Sequence, residues 1–400
     1  MKNYDVLIIG GGASGLTCAI SAKRKNKKLN IAILEHNNKI GKKLLATGNG
    51  RCNLTNMNMR KNNFHGSFKI DTVLERYSPN KLIEFFDSMG LVCKAEENGL
   101  VYPFSKQASA VLEILKLECN RLGIDIICEE CVKNIKKSGK GFTVISNNTY
   151  NCKKVVLCCG GKASPECGGS GAGLDLAKNL GHKIVTTTPS LCPVEVFDKN
   201  IKSLKGVRAS ATVTLFDGNT EIHSEVGEVQ FTDTALSGIC IFNLCSYIKN
   251  CVEPNIKVSI LNISFNELLT TLKNRRNIFK NDSAENLLIG YFNSKIAVYF
   301  LKQSKIELTK KAKDISDLEL KQLTSIILNW NFKCKKPTDF KKAQVMAGGV
   351  FGNEINENTM ESKIVKGLYL CGELIDINGD CGGYNLHFAF SSGIIAGENL

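Results

Sequence analysis

Tyr4-Asp-Val-Leu-Ile-Ile-Gly-Gly-Gly-Ala-Ser-Gly15 is the stretch whose reading decides the fold. Residues 6–9 are an apolar run of strand length, the glycines at 10, 12 and 15 stand in G-x-G-x-x-G spacing, and residues 16–23 have helical character. A strand–turn–helix of this form carries a dinucleotide. Gly10 permits the tight turn, Gly12 lets a pyrophosphate approach the backbone, and Gly15 lets the helix pack closely on the strand. The start of that helix points unpaired N–H groups and a partial positive charge at the phosphates. A second apolar strand, at 31–34, ends at Glu35, twenty residues beyond Gly15. A carboxylate there accepts the hydroxyls of an adenosine ribose and repels a 2′-phosphate.

The chain has 400 residues, enough for two or three domains with a sizeable core. Hydrophobic residues at 43% and charged residues at 22% are ordinary for a globular enzyme. A formal net charge of +14 invites an acidic partner, yet the lysines are scattered and no basic motif is interleaved with aromatics. The pattern reads as a solvated surface, and nucleic acid is not expected as a partner. Seventeen cysteines at irregular spacing, without an export signal, read as reduced thiols in the core. The N-terminal apolar run is too short and too broken by glycine for a signal peptide or a membrane span. A cytoplasmic protein with no membrane contact is expected.

Beyond Glu35, residues 39–56 are rich in Gly, Asn and cations, which predicts a functional loop. Helices are predicted at 70–77, 79–89 and 108–122, with a hairpin around 93–102. Strands follow at 124–128, 131–135, 142–146 and 154–159, the last reaching Gly160-Gly161 and returning the chain to the nucleotide sheet. A second glycine-rich loop, 164–173, leads into a helix at 174–180. From Leu191 the character changes. Strands at 194–197, 210–216, 222–229 and 257–263 make a separate β module, 265–331 is strongly helical, and 341–350 turns strand-like again.

The closing segment carries the second half of the expected site. Gly367-Leu-Tyr-Leu-Cys-Gly-Glu373 reads as a strand ending in glycine and an acid. Asp376, Gly379, Asp380, Gly382 and Gly383 make a tight loop before a helix that opens at Asn385. This ending suits the middle of a long extended cofactor. Glu373 or Asp380 would take ribityl hydroxyls, and the start of the last helix would face the pyrimidine edge of a flavin, favouring negative charge there.

Ile9-Gly-Gly-Gly-Ala-Ser-Gly-Leu16, Thr47-Gly-Asn-Gly-Arg-Cys-Asn-Leu-Thr55, Ala347-Gly-Gly-Val350, Thr359-Met-Glu-Ser-Lys363 and Gly379-Asp-Cys-Gly-Gly-Tyr-Asn-Leu386 carry a family resemblance. Over nearly its full length the chain resembles the bacterial flavoproteins that include the bile-acid 3-dehydro Δ4,6-reductases and the aminoacetone oxidases, within the glutathione-reductase-like superfamily. The resemblance implies an α/β fold: a Rossmann-like FAD-binding domain built from both chain ends, with an inserted β-barrel-like domain and a small helical subdomain. The implied division is an FAD domain over 1–190 and 347–400, a β insert over 191–263 with its return strand at 332–346, and a helical cap over 264–331. Substrate would lie between flavin and cap.

The implied FAD contacts begin with Gly10, Gly12, Ala13, Ser14, Gly15, Glu35 and Lys43. They continue through the loop of Thr47, Gly48, Asn49, Gly50, Arg51, Cys52 and Asn53, the backbone of Val132, and Cys159, Gly160 and Gly161. The closing segment would add Gly372, Glu373, Asp380, Gly383, Tyr384, Asn385 and Leu386. Cys158-Cys159 departs from the Ala-Thr usual in the family at that place, which leaves the substrate open.

Cys128-Glu-Glu-Cys131 is a lone C-x-x-C with no second ligand pair, and the five histidines show no ligand spacing, so no metal is expected. Three residues are candidates for the chemistry: Arg51 to hold a carbonyl or carboxylate, Tyr384 to donate a proton, and His387 to orient substrate. Gly168-Gly-Ser-Gly-Ala-Gly173 follows no apolar strand, so NAD(P)H is expected only as a transient electron donor. The function expected is an FAD-dependent oxidoreductase moving hydride through flavin N5. Its small-molecule substrate would be a conjugated, steroid-like ketone. An amine or aminoketone oxidase using oxygen is the alternative, and an FAD-dependent RNA-modifying protein is the alternative of another class. Nothing in the pattern fixes an oligomeric state.

Overall fold

The computed structural model describes residues 2–400. The apolar run opens into a strand, Lys2–Ile9, with Val6, Leu7, Ile8 and Ile9 all buried. Ile31–Leu34 lies parallel on one side, and Asp125–Ile127 extends the sheet beyond it. On the other side runs Thr149–Leu157, whose C-terminal half takes Leu368–Leu370 as its parallel neighbour. Five parallel strands therefore share one sheet, and the fifth comes from the far end of the chain. Strands apolar on both faces suit a parallel sheet covered on both sides. The hairpin of Asn134–Ser138 and Gly141–Ile145 continues the sheet antiparallel from the N-terminal half of Thr149–Leu157.

The chain forms two units: one runs to Ser190 and resumes at Asp339–Leu400, and the other is Leu191–Thr338. Within the first, the helix Ala13–Lys25 packs backbone to backbone on the final helix, Tyr384–Glu398. A Cβ on Gly393 would stand 2.2 Å from the Ser14 carbonyl oxygen, and one on Gly397 would stand 2.4 Å from that of Cys18. The Thr17 hydroxyl donates to the Phe390 carbonyl across the same contact at 3.1 Å.

In the second unit six antiparallel strands follow one another in the order Val194–Glu195, Ala235–Ser237, Thr220–Phe231, Arg208–Asp217, Pro254–Ser259, Asn331–Lys333. The ends meet: the Phe197 N–H donates to the Lys333 carbonyl at 3.0 Å, and the Lys335 N–H donates to that of Glu195 at 2.8 Å. The sheet closes into a barrel. Helices Phe265–Ile278, Ser294–Gln303 and Asp317–Leu328 are inserted before the last strand. Ser264 with Glu267, and Ser316 with Glu319, form capping boxes that start the first and third of them.

Several expectations need correction. The strand expected over 341–350 is Val345–Val350, and it pairs with Ile184–Ser190 in the first unit. The return strand of the barrel is instead Asn331–Lys333, and the crossing falls at Asp339 instead of 347. Gly348 and Gly349 lie flush against the carbonyls of Thr186 and Leu374, which holds this strand to the nucleotide unit. The strand expected at 131–135 begins only at Asn134, and the one expected at 257–263 ends at Ser259. The helix Ile239–Ile248 escaped prediction because it is apolar nearly all round and so shows no period.

Gly393→Val should lower the urea midpoint by the equivalent of about 1–3 kcal/mol, the usual cost of overpacking. An unchanged midpoint would contradict the helix contact.

Candidate functional site

A cavity of about 360 Å³ opens in the first unit where the turn after the first strand meets the start of the final helix. Each glycine of the turn has a distinct setting. A Cβ on Gly10, at φ 110°, would meet the Cys158 carbonyl oxygen at 2.4 Å, and one on Gly15 would meet that of Gly10 at 2.0 Å. A Cβ on Gly12 has nothing within 4 Å, because that position faces the open cavity. The helix it opens has no side-chain cap and no acidic residue in its first turn. Its first N–H groups are left for a ligand.

Glu35 stands at the end of Ile31–Leu34, 6% exposed, on the wall of the same cavity. Its Oε2 accepts the Gly11 N–H at 2.9 Å, and its Oε1 accepts the N–H and side-chain amide of Asn37, both at 2.8 Å. His36 Nδ1 lies 3.0 Å from Oε1. Burial pushes the Glu35 carboxyl up, but the hydrogen bonds from His36, Asn37 and Gly11 outweigh it and hold the group below the usual carboxylate range. The same bond, against some cost of burial, raises His36 above its ordinary value. Glu35 is thus a fixed, ionised acceptor.

Farther along the cavity, Lys43 Nζ pairs with Glu373 Oε2 at 2.5 Å. Glu373 also accepts the N–H of Met346 at 2.9 Å and of Gly161 at 3.3 Å, so one carboxylate ties four segments together. The final helix begins after Gly383, at φ 96°, again with no side-chain cap. The Asn385 side chain both accepts from and donates to the backbone of Gly379, at 2.8 Å each, and fixes the entry to that helix.

Of the sequence-predicted residues, Gly10, Gly12, Ala13, Ser14, Glu35, Lys43, Thr47, Val132, Cys159, Gly160, Gly161, Glu373, Asn385 and Leu386 line the cavity. Gly15 and Gly372 lie behind its wall, where a Cβ on Gly372 would sit 2.8 Å from Ser14 Oγ. The rest lie elsewhere. Gly48 and Asn49 turn left-handed just after Thr47, and neither they nor Gly50, Arg51, Cys52 and Asn53 line the cavity. The Arg51 guanidinium rests over the Tyr102 ring at 5.1 Å. Cys52 is fully buried, and burial pushes its thiol up to about 12. The Asn53 side-chain oxygen, Oδ1, accepts the Val101 N–H at 3.2 Å.

Asp380 is held by His65 Nε2 at 2.8 Å and by the Asn63 amide at 3.0 Å, and it does not line the cavity. Tyr384 is 8% exposed and stands edge-on to Phe64, with ring centroids 5.9 Å apart. His387 is fully buried, with Nδ1 2.8 Å from the Thr55 hydroxyl and Nε2 2.9 Å from the Tyr77 carbonyl. Burial lowers its pKa to about 4. It is a neutral tie between the final helix and its neighbours, which corrects the expectation that it orients substrate.

Sequence reasoning missed His36, Asn37, the loop residues 167–170 and Gln344, all of which line the cavity. A Cβ on Gly168 would lie 2.6 Å from the Asn37 amide and 2.9 Å from His36, so that loop rests on the Glu35 corner. The density of glycine at 168–173 was the available signal. Gln344 is exposed and had none.

Among the described residues no group of three or more His, Cys, Asp or Glu could hold a metal ion, and no helix is long and apolar enough to cross a membrane. An open space over Gly12, two uncapped helix starts and a buried ionised acid on one cavity fit an extended dinucleotide such as FAD.

A family model described as the HI0933-like protein Rossmann domain matches residues 4–399. The chain is 35% identical to a protein from Clostridium scindens named 3-dehydro-bile acid delta(4,6)-reductase, covering 98% of this chain and 97% of that one. It is 28% identical to an Escherichia coli protein named ribosomal RNA dihydrouridine synthase, covering 100% and 98%. Among solved structures, 3-ketosteroid delta1-dehydrogenase from Sterolibacterium denitrificans aligns over 99% of each chain at 10% identity and a TM-score of 0.51, a likeness of fold.

His36 should titrate above 6.5 by NMR, and its pKa should fall back in Glu35→Gln. Because the folded value is raised, the pair's stabilisation through His36 is complete below 6.5 and is lost as pH rises through the folded pKa. Through Glu35, whose folded value is depressed, stabilisation is complete above 4.5 and is lost as pH falls through the folded pKa. A His36 that titrates identically in both proteins would contradict the pairing.

Proposed function

The chain belongs to the HI0933-like family of Rossmann-type FAD-dependent oxidoreductases, and on that premise we propose that it adds hydride to a carbon–carbon double bond conjugated with a carbonyl. The observation that carries this is the 35% identity, over nearly the whole of both chains, with the bile-acid delta(4,6)-reductase. The second relative supports the same reaction class. Dihydrouridine is uridine with its 5,6 double bond, itself conjugated with a carbonyl, reduced. The proposed substrate is a small, steroid-like conjugated ketone, and the proposed electron source is NAD(P)H approaching transiently.

Bound FAD supplies the hydride chemistry. The chain supplies placement. Gly12 and the first helix's N–H groups would hold the phosphates, and Glu35 would accept ribose hydroxyls. Lys43, kept in place by Glu373, and the helix start fixed by Asn385 would orient the far end. Gln344, whose amide stands exposed at the cavity, would donate to a ring or substrate oxygen. Arg51, Tyr384 and His387 are assigned no part in the chemistry.

A second reading is favoured by the ribosomal RNA named for relatives at 28% and 26% identity: the conjugated bond would then lie in a base of RNA. This stands against the expectation that nucleic acid is not a partner. The net charge of +14 is compatible with it.

The purified protein should show flavin absorption, which anaerobic NADH or NADPH bleaches and a 3-oxo-Δ4,6-steroid restores. Restoration only by uridine-containing RNA would move the proposal to the second reading, and oxygen consumption with amines but no NAD(P)H oxidation would overturn both. Glu35→Ala should weaken FAD binding by about 10–100-fold, the worth of hydrogen bonds to a charged acceptor.

A further inference from the structure

Two thiols in the inserted unit stand in contact. Cys192 lies in the Leu191-Cys-Pro193 stretch that opens the unit, and Cys245 lies on the helix Ile239–Ile248. Their sulfurs are 3.3 Å apart, 53 residues separate them in sequence, and each residue is 2% exposed. The approach is built by the backbone. Leu191 takes a φ of 50°, rare for a branched side chain, and Pro193 limits the conformations open to the residue before it. That geometry aims the N–H groups of Leu191 and Cys192 at the Cys245 sulfur, alongside the Cys192 thiol itself.

The setting differs from that of Cys119, Cys152 and Cys334. Burial drives Cys119, Cys152 and Cys334 up to about 12. At Cys245 the hydrogen bond from Cys192 outweighs burial and, with the two N–H groups, holds the thiol below its ordinary value. Two sulfurs 3.3 Å apart, one of them met by backbone N–H groups, stand close enough for one to attack the other once that one is oxidised.

We propose that Cys192 and Cys245 form a peroxide-reactive dithiol, in which Cys245 attacks and Cys192 resolves. The Cys245 thiolate attacks one oxygen of hydrogen peroxide, the O–O bond breaks, and the leaving hydroxide takes up a proton as water. Cys245 becomes a sulfenic acid. The Cys192 sulfur then attacks the Cys245 sulfur, the S–O bond breaks, and a second water leaves with the Cys192 proton. Two thiols lose two electrons in total, and one peroxide becomes two waters. Forming the S–S bond, at ~2.05 Å, draws the sulfurs together by about 1.2 Å from their contact distance. The reaction excludes bulky oxidants, because neither sulfur is open to a molecule the size of glutathione disulfide. The bond would tie the opening segment of the unit to its long apolar helix.

The test is titration of the full chain with hydrogen peroxide, quenching by alkylation, and mapping of the peptides by mass spectrometry without reduction. The expected result is a Cys192–Cys245 peptide pair two hydrogens lighter than the two free thiols, formed before other cysteines are oxidised and reversed by dithiothreitol. Two fewer of the 17 thiols should alkylate. Glutathione disulfide should leave the pair reduced. In Cys192→Ser, or in Cys192→Ala should the first fold poorly, dimedone should label Cys245. Three results would overturn the proposal: both thiols still alkylatable once exposed Cys131 is oxidised, Cys245 linked to another cysteine, or no reaction with peroxide at all.

Discussion

The structure depends on one close approach, that of the first helix to the last. A helix that presents glycine at 393 and 397 lets a neighbour's carbonyls come to within what would otherwise be Cβ distance. Thr17 then spends its hydroxyl on the Phe390 carbonyl to hold the register. Both helices begin at the same cavity, so this packing sets two uncapped N-termini over one chamber. Leu368–Leu370 adds the second constraint, because it joins the sheet beside Thr149–Leu157. The two ends of the chain are thus bound into one domain, whatever is inserted between them.

Two ion pairs stand on the cavity wall. Glu35 is matched by His36, and Lys43 by Glu373. Lys42 Nζ donates to the Asn37 side-chain oxygen, Oδ1, at 3.2 Å. With the side-chain cations committed, attraction for phosphate rests on helix N-termini and backbone N–H groups. These are fixed dipoles that need no reorganisation when a ligand arrives. The net charge of +14 is a property of the whole surface and says little about this site.

Much of this was legible because it is local. Glycine spacing, strand apolarity and the distance from Gly15 to Glu35 all act within one supersecondary unit, and the structure has each in its expected relation. What the sequence hid was side-chain commitment. Asp380 and Glu373 are both acids beside glycine, yet only a folded chain reveals that His65 and Asn63 occupy the first while the second faces the cavity. His387 looked available on a helix near the site and proves sealed between Thr55 and Tyr77, two partners more than three hundred residues away. The Thr47–Asn53 loop was legible as special. Its left-handed steps at Gly48 and Asn49 carry all but Thr47 off the cavity wall. Residues 341–350 misled because strand character does not say which sheet will take the strand.

The central claim is that both chain ends grip one cofactor at once. Hydrogen–deuterium exchange of the apoprotein before and after adding FAD measures this directly. The account predicts that protection rises together in the segment around Gly10 to Leu16 and in the segment around Gly383 to Ala389. Protection confined to one segment, or exchange unchanged in both while FAD is bound, would contradict it.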